Sequence, residues 1–253
     1  MHFTTLIDSR TLEAHLEDAD LVIIDCRFDL MHPDAGRSEW LASHIPNARY
    51  AHLDHDLSAP VTPATGRHPL PDVATLVARL EGWGIGNASQ VVAYDAAGGG
   101  YAVRLWWMLR WLGHEKAAIL DGGFSAWSDG GYPVESRKPQ VSPAIFNARP
   151  RAWMVVSADE VLGGMSRGEI VVVDAREPER FQGLEEPINV RFLAALAADP
   201  DRAFAFQITD DDPVVVPLAD RDLVNSDYPR CRKAGARYLL VHVVLVEILH
   251  RAV

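Results

Sequence analysis

The feature that most constrains this chain is a short pattern that occurs twice. Val22-Ile23-Ile24-Asp25-Cys26-Arg27 is a β-branched run ending in polar residues, and Val171-Val172-Val173-Asp174-Ala175-Arg176 repeats it 149 residues later. A repeat at that distance suits a duplicated domain, because each copy is then long enough to bury a core of its own. Continuous apolar runs suit strands buried on both faces, as in a parallel sheet covered by helices. Each run is therefore read as the first core strand of an α/β unit.

The rest of the first half fits that reading. Residues 72–80 follow Pro69 and Pro71 and read as a helix, and Val91-Val92-Ala93-Tyr94-Asp95 reads as a second strand. Gly98-Gly99-Gly100 then permits a tight turn into a long apolar helix over 101–112, and Ala117-Ala118-Ile119-Leu120-Asp121 supplies a third strand. Strands alternating with helices predict a parallel sheet flanked by helices. Ahead of the second copy, Ser157-Ala158-Asp159-Glu160 has capping-box spacing, so a helix is expected to start there. Between the halves, Arg137-Lys138-Pro139-Gln140-Val141-Ser142-Pro143 and Arg149-Pro150 are polar and proline-rich and read as a semi-rigid linker. The expected organisation is a first domain over 1–137, a linker over 138–153 and a second domain over 154–253.

Composition narrows the function classes. A formal net charge of -11 leaves no electrostatic footprint for nucleic acid or for an anionic membrane surface. The N-terminus lacks a basic region followed by an apolar stretch of signal-peptide length. The most apolar segment, 238–248, is shorter than a membrane span and carries His242 and Glu247, so it reads as a core element. Two cysteines, Cys26 and Cys231, make no disulfide framework and fit a reducing, cytoplasmic compartment. His44, His68 and His114 are dispersed without metal-ligand spacing, and no metal is assigned to them. Trp106, Trp107 and Trp111 lie at helical spacing and read as packing residues rather than base-stacking ones.

Several segments together resemble the two-domain rhodanese family, which includes thiosulfate and 3-mercaptopyruvate sulfurtransferases. They are Asp25-Cys26-Arg27-Phe28-Asp29, His44-Ile45-Pro46-Asn47-Ala48, Gly66-Arg67-His68-Pro69-Leu70-Pro71 and Asp121-Gly122-Gly123-Phe124-Ser125-Ala126-Trp127, with Asn47 where the family usually has Gly. The resemblance implies two tandem rhodanese-like α/β domains. It also implies that the first is the non-catalytic copy, with Asp95 where the catalytic copy carries its nucleophilic Cys. A plainer role for Asp95 is to cap the helix that follows it. Asp174-Ala175-Arg176-Glu177-Pro178-Glu179-Arg180-Phe181 resembles the opening of the catalytic domain. In the family, an Arg before this Phe helps bind the anionic substrate. Arg180 is the candidate, since guanidinium offers forked donors to thiosulfate or a carboxylate. After Pro187 the expected second His-Ile-Pro-Gly-Ala-like segment is replaced by Asn189-Val190-Arg191-Phe192-Leu193. The second domain is therefore expected to be divergent or incomplete.

The chemistry implied by the resemblance is transfer of a sulfane sulfur through a cysteine persulfide, without metal or organic cofactor. The partners are a small anionic donor and a thiophilic acceptor such as cyanide. Cys231, followed by Arg232-Lys233-Ala234-Gly235-Ala236, partly resembles the Cys-Arg-Lys active-site loop of thiosulfate sulfurtransferases. Arg232 and Lys233 would lower the thiol pKa and attract an anion. The preceding Leu223-Val224-Asn225-Ser226-Asp227-Tyr228-Pro229 makes a poor strand, unlike the family pattern. Cys26 sits at the end of the first strand and reads as a buried structural thiol. Two other readings stay open: a catalytically inactive rhodanese-like binding or interaction protein, and an altered, inactive product.

Overall fold

A computed structural model describes residues 2–63, 65–167 and 170. The chain divides into two compact units. The first holds the residues up to Pro60 together with Leu70–Arg151, and the second takes Val61–Pro69 and the chain from Ala152 onward. The copy of the strand pattern at 171–176 and the apolar segment 238–248 lie outside the described residues.

The first unit is built on five parallel strands: β1 (Leu6–Ile7), β2 (Leu21–Asp25), β3 (Arg49–Tyr50), β4 (Gln90–Tyr94) and β5 (Ala117–Leu120), in the order β1-β5-β4-β2-β3. Every residue of β2 and of β4 is buried, which is why both read as unbroken apolar runs. Burial of these strands, with Ile45, Leu120 and Trp127, makes the core. The helices are α1 (Ser9–Glu13), α2 (Ala35–Ala42), α3 (Val73–Gly82), α4 (Ala102–Trp111) and α5 (Gly123–Asp129). α3 starts where the sequence predicts, because Asp72 caps it by accepting from Thr75 N–H at 3.0 Å. On α4, Trp107 and Trp111 are buried and stacked at 5.9 Å, and Trp106 Nε1 donates to Thr4 O at 2.9 Å, so the tryptophans are packing residues.

The residues read as a linker are, up to Arg151, a strap laid along the first unit. Ala144 N–H donates to Glu81 O, and Phe146 N–H to the Glu81 carboxylate. Arg149 and Arg151 N–H donate to Leu112 O and Trp111 O, the Arg151 guanidinium pairs with Glu115, and the Phe146 ring is buried against His114. Prolines suppressed helix there, but the free backbone donors found partners on the unit instead of in water. In the second unit a short 3₁₀ turn (Ala152–Met154) precedes α6 (Ala158–Ser166). Ser157 and Glu160 form the reciprocal capping box that their spacing predicts.

Candidate active site

In an open parallel sheet, ligands bind beyond the carboxyl ends of strands where the chain reverses its direction of winding. Here that point lies between β2 and β4, since β2 is followed by β3 on one side and β4 by β5 on the other. Their register pairs Asp25 with Tyr94 at the ends of the two strands. The loops that leave them begin with Cys26-Arg27-Phe28 and with Asp95.

Asp95 is fully buried and its carboxylate is enclosed by the loop it opens. Oδ1 accepts from Ala97 N–H at 2.8 Å and Gly99 N–H at 2.9 Å. Oδ2 accepts from Tyr101 N–H and Ala102 N–H, both at 2.8 Å, so it also caps the start of α4. Gly98 and Gly99 hold positive φ of 66° and 90°, which turns the successive amides inward. The result is a nest of backbone donors of the kind that binds anions, with the anion supplied by the loop's own first residue. Asp95 is gripped from the other side as well, because its carbonyl accepts from Phe124 N–H at 2.8 Å. That approach requires Gly123, where a Cβ would stand 2.3 Å from Asp95 O.

Beneath the loop lies a buried polar network. Arg27 holds Asp25 through Nε and Nη2, at 2.9 and 2.6 Å from Oδ2, and donates a third bond to Ser43 O. Tyr94 OH donates to Asp25 Oδ2 at 2.7 Å and accepts from Ile45 N–H at 3.3 Å. Arg27 lies 4.0 Å over the Phe124 ring. Burial raises the Asp25 carboxyl above its ordinary value, opposed by its bonds to Arg27. The start of the segment that follows α2 is thus tied to the strand ends, Ser43 by Arg27 and Ile45 by Tyr94, and Asn47 takes φ 63° where glycine would be the easy choice. Further along the rim, Phe28 packs edge-on against His52 and Tyr101, with ring centroids 5.3 and 5.5 Å away.

The thiol on this unit is out of play. Cys26 is buried, and burial, followed by the charges of Asp25, Asp95 and Asp56, pushes it well above the ordinary thiol value. The first unit therefore has an anion cradle at its strand ends, filled by a carboxylate and not by a thiolate. Cys231, Arg180, Arg232 and Lys233, the candidates for catalysis and donor binding, lie outside the described residues. The Arg27–Asp25–Tyr94 network was the part of the site that sequence reasoning missed. Its only signal was the Asp-x-Arg spacing that ends both copies of the sequence pattern.

A rhodanese-like domain family matches residues 8–129. The chain is 39% identical over 191 residues to a probable 3-mercaptopyruvate sulfurtransferase of Pseudomonas aeruginosa, covering 75% of this chain and 67% of that one. It is 34% identical over 194 residues to a putative thiosulfate sulfurtransferase of Mycobacterium tuberculosis, covering 73% and 65%. The matched stretch thus spans about two thirds of those relatives' length. Among solved structures, the 3-mercaptopyruvate sulfurtransferase of Leishmania major superposes with a TM-score of 0.62 at 30% identity, over 71% of this chain and 48% of that one. SseA of Escherichia coli shares the fold, with a TM-score of 0.64 at 24% identity over 84% and 87%. The chain belongs to the rhodanese-like sulfurtransferase family. Within it, the named relatives are 3-mercaptopyruvate and thiosulfate sulfurtransferases.

Proposed function

We propose that this protein is a sulfurtransferase that moves a sulfane sulfur from thiosulfate or 3-mercaptopyruvate to a thiophilic acceptor such as cyanide, through a persulfide on Cys231. The observation that carries this reading is the filled cradle of Asp95. The first unit keeps the family's loop without its nucleophile, and Cys26 is buried, which leaves Cys231 as the remaining thiol. A second rhodanese-like domain after the strap agrees with the length of the match to the Pseudomonas relative. Three quarters of the chain cannot be accommodated before Arg151.

In the first step the Cys231 thiolate attacks the sulfane sulfur of thiosulfate. A new S–S bond forms, the old one breaks, and sulfite leaves with the electron pair. With 3-mercaptopyruvate the C–S bond breaks instead, and pyruvate leaves as its enolate and takes up a proton. Cyanide then attacks the outer sulfur and departs as thiocyanate, restoring the thiolate. Arg180, Arg232 and Lys233 hold the anionic donor and stabilise the departing charge. No cofactor takes part in these steps. Among the described residues no helix is long and apolar enough to cross a membrane, and the charge balance argues against nucleic acid. A cytoplasmic location is part of the proposal and rests on the two cysteines, which make no disulfide framework.

The test is thiocyanate formation with each donor by the wild type, Cys231→Ala and Cys26→Ala, together with intact mass after incubation with excess donor. The reading expects one added sulfur on the wild type and on Cys26→Ala, and neither the added mass nor thiocyanate from Cys231→Ala. Equal activity in the wild type and Cys231→Ala would remove Cys231 from the mechanism. Inactivity of all three proteins, with no mass increment, would favour an inactive rhodanese-like binding protein, the reading that the carboxylate in the Asp95 cradle also fits.

A further inference from the structure

At the β3 edge of the first unit, remote from β1 at the other edge, lies a cleft of about 280 Å³. Its walls include Tyr50 on β3, Trp83 just after α3 and Trp40 on α2, and its charged lining comprises Arg37, Arg49, Lys138 and Asp56. Asp56 is already engaged: its carboxylate pairs with Arg79 and accepts from His52 N–H at 2.8 Å. Among the described residues, Arg37, Arg49 and Lys138 make no ion pair. Arg37 and Lys138 are exposed, but Arg49 is half-buried. Its Nη1 reaches Asn47 O at 2.9 Å, while its Nε is buried without a hydrogen-bond partner. Burial pushes its guanidinium below the ordinary value. In a chain of net charge -11, three cations line one cleft, and the one carboxylate among its lining residues is paired with Arg79.

A half-buried guanidinium with an unused donor is costly unless an acceptor completes it, and its fork matches the oxygens of a phosphate or carboxylate. Tyr50 and Trp83 add ring surface on which a planar group can stack. At about 280 Å³ the cleft is just under the usual range of small-molecule sites, which suits a ligand of modest size. We propose that this cleft binds a small aromatic oxyanion of mononucleotide size, its phosphate or carboxylate held by Arg49, Arg37 and Lys138 and its ring lying against Trp83 and Tyr50. The site is independent of sulfur transfer, because it lies on the sheet edge and not at the β2–β4 strand ends.

The experiment is calorimetric titration of the full chain with AMP, benzoate, adenosine and inorganic phosphate, with the indole N–H resonance of Trp83, assigned through Trp83→Phe, as the positional readout. AMP is expected to bind with a Kd of about 10 µM to 1 mM and to shift that resonance. Adenosine and phosphate, each carrying half of the recognition, are expected to bind at least about tenfold more weakly. Benzoate binding as tightly as AMP would identify the carboxylate as the natural head group within the same class. Arg49→Gln is expected to weaken AMP about tenfold or more. Because that change touches a half-buried residue, the Arg37→Gln/Lys138→Gln double variant, altered only at exposed positions, must also weaken binding. Arg10→Gln, on α1, must not. The proposal is overturned if neither AMP nor benzoate binds at several millimolar, if phosphate alone matches AMP, or if binding leaves the Trp83 resonance and both basic variants unaffected.

Discussion

Asp95 offers the sharpest test of how this fold holds its loop. Its carboxylate receives four backbone N–H bonds of 2.8–2.9 Å at a fully buried position. Hydrogen bonds to a charged group contribute about 1.5–3 kcal/mol each, although bonds sharing one acceptor do not add fully. Asp95→Asn keeps the oxygen that serves Ala97 and Gly99 but turns an NH₂ group toward Tyr101 and Ala102, so donors face donors. The loss of two bonds costs about 3 kcal/mol or more. With about 2–4 °C per kcal/mol for a unit of this size, melting falls by roughly 6–12 °C. Asp95→Ala, which orphans all four amides, is expected to cost about 5 kcal/mol, close to the whole stability of an ordinary domain. Urea unfolding with an unchanged slope measures the loss, and faster hydrogen exchange at residues 97, 99, 101 and 102 locates it. A cost for Asp95→Asn within 0.5 kcal/mol of zero, the range of an ordinary surface change, would refute the claim that the loop depends on its internal anion.

The same cradle makes a chemical prediction. In a Cys26→Ala/Cys231→Ala background, the thiol of Asp95→Cys faces inward amides at a helix start and is expected to titrate below the ordinary value of about 8.5, read by thiolate absorbance. Cys26, which follows the neighbouring strand β2, is pushed the opposite way by burial and by nearby carboxylates. Titration of the introduced thiol at or above 8.5 would mean that burial outweighs the amides.

Removing the guanidinium by Arg27→Met leaves the Asp25 carboxylate buried and unpaired and is expected to cost about 3–5 kcal/mol by urea unfolding. Gly123→Ala adds both a strained left-handed backbone and a methyl in the path of Asp95 O, and should cost at least about 2 kcal/mol. Gly82→Ala, at the end of α3 with open space around its Cβ position, should be neutral or stabilise by up to about 1 kcal/mol. Partial burial raises the Glu115 carboxyl, but the bond from Arg151 and the charges of Arg110 and Arg151 outweigh it and hold the group below its ordinary value. Its contribution is therefore present above about pH 4.5 and lost as pH falls through the folded-state value. Exchange of the Arg149 and Arg151 amides should accelerate below that pH in the wild type, and already at neutral pH in Glu115→Gln.

The elements legible in the sequence were those whose burial or capping is local. β2, β4 and β5 are apolar runs, α3 and α6 begin at Asp72 and Ser157, and the glycine turn before α4 is where its residues place it. β1 and β3 went unread because two-residue edge strands carry no periodicity, and β3 contributes Arg49 and Tyr50, polar residues that pair only once β2 is in place. The strap illustrates the opposite error. Its composition reports that it cannot be helix or strand, but composition is blind to the carbonyls of Glu81, Leu112 and Trp111 that hold it. At the site, Asp95 was legible as a helix cap, and the structure adds that the same carboxylate also closes the loop ahead of that helix.

That double role follows from the loop's own requirements. A turn that aims several N–H groups at one point, away from water, is destabilised when its centre is empty or offers too few acceptors, since each unmet donor costs free energy. An anion with several acceptor sites answers that need best, before any reaction is considered. A thiolate meets that demand and is also a nucleophile toward sulfur; a carboxylate meets it and stops there. On the proposed reading, the first unit would keep such a loop without a nucleophile, because a carboxylate meets the same need of the backbone as a thiolate. The converse applies to Cys231. If it carries the persulfide, its thiolate must be the anion its own loop is built around, and Cys231→Asp should then preserve stability while abolishing sulfur transfer. Cys231→Ala should lose both. A Cys231→Asp variant no more stable than Cys231→Ala would show that Cys231 does not sit in such a cradle, and the proposed mechanism would fail with it.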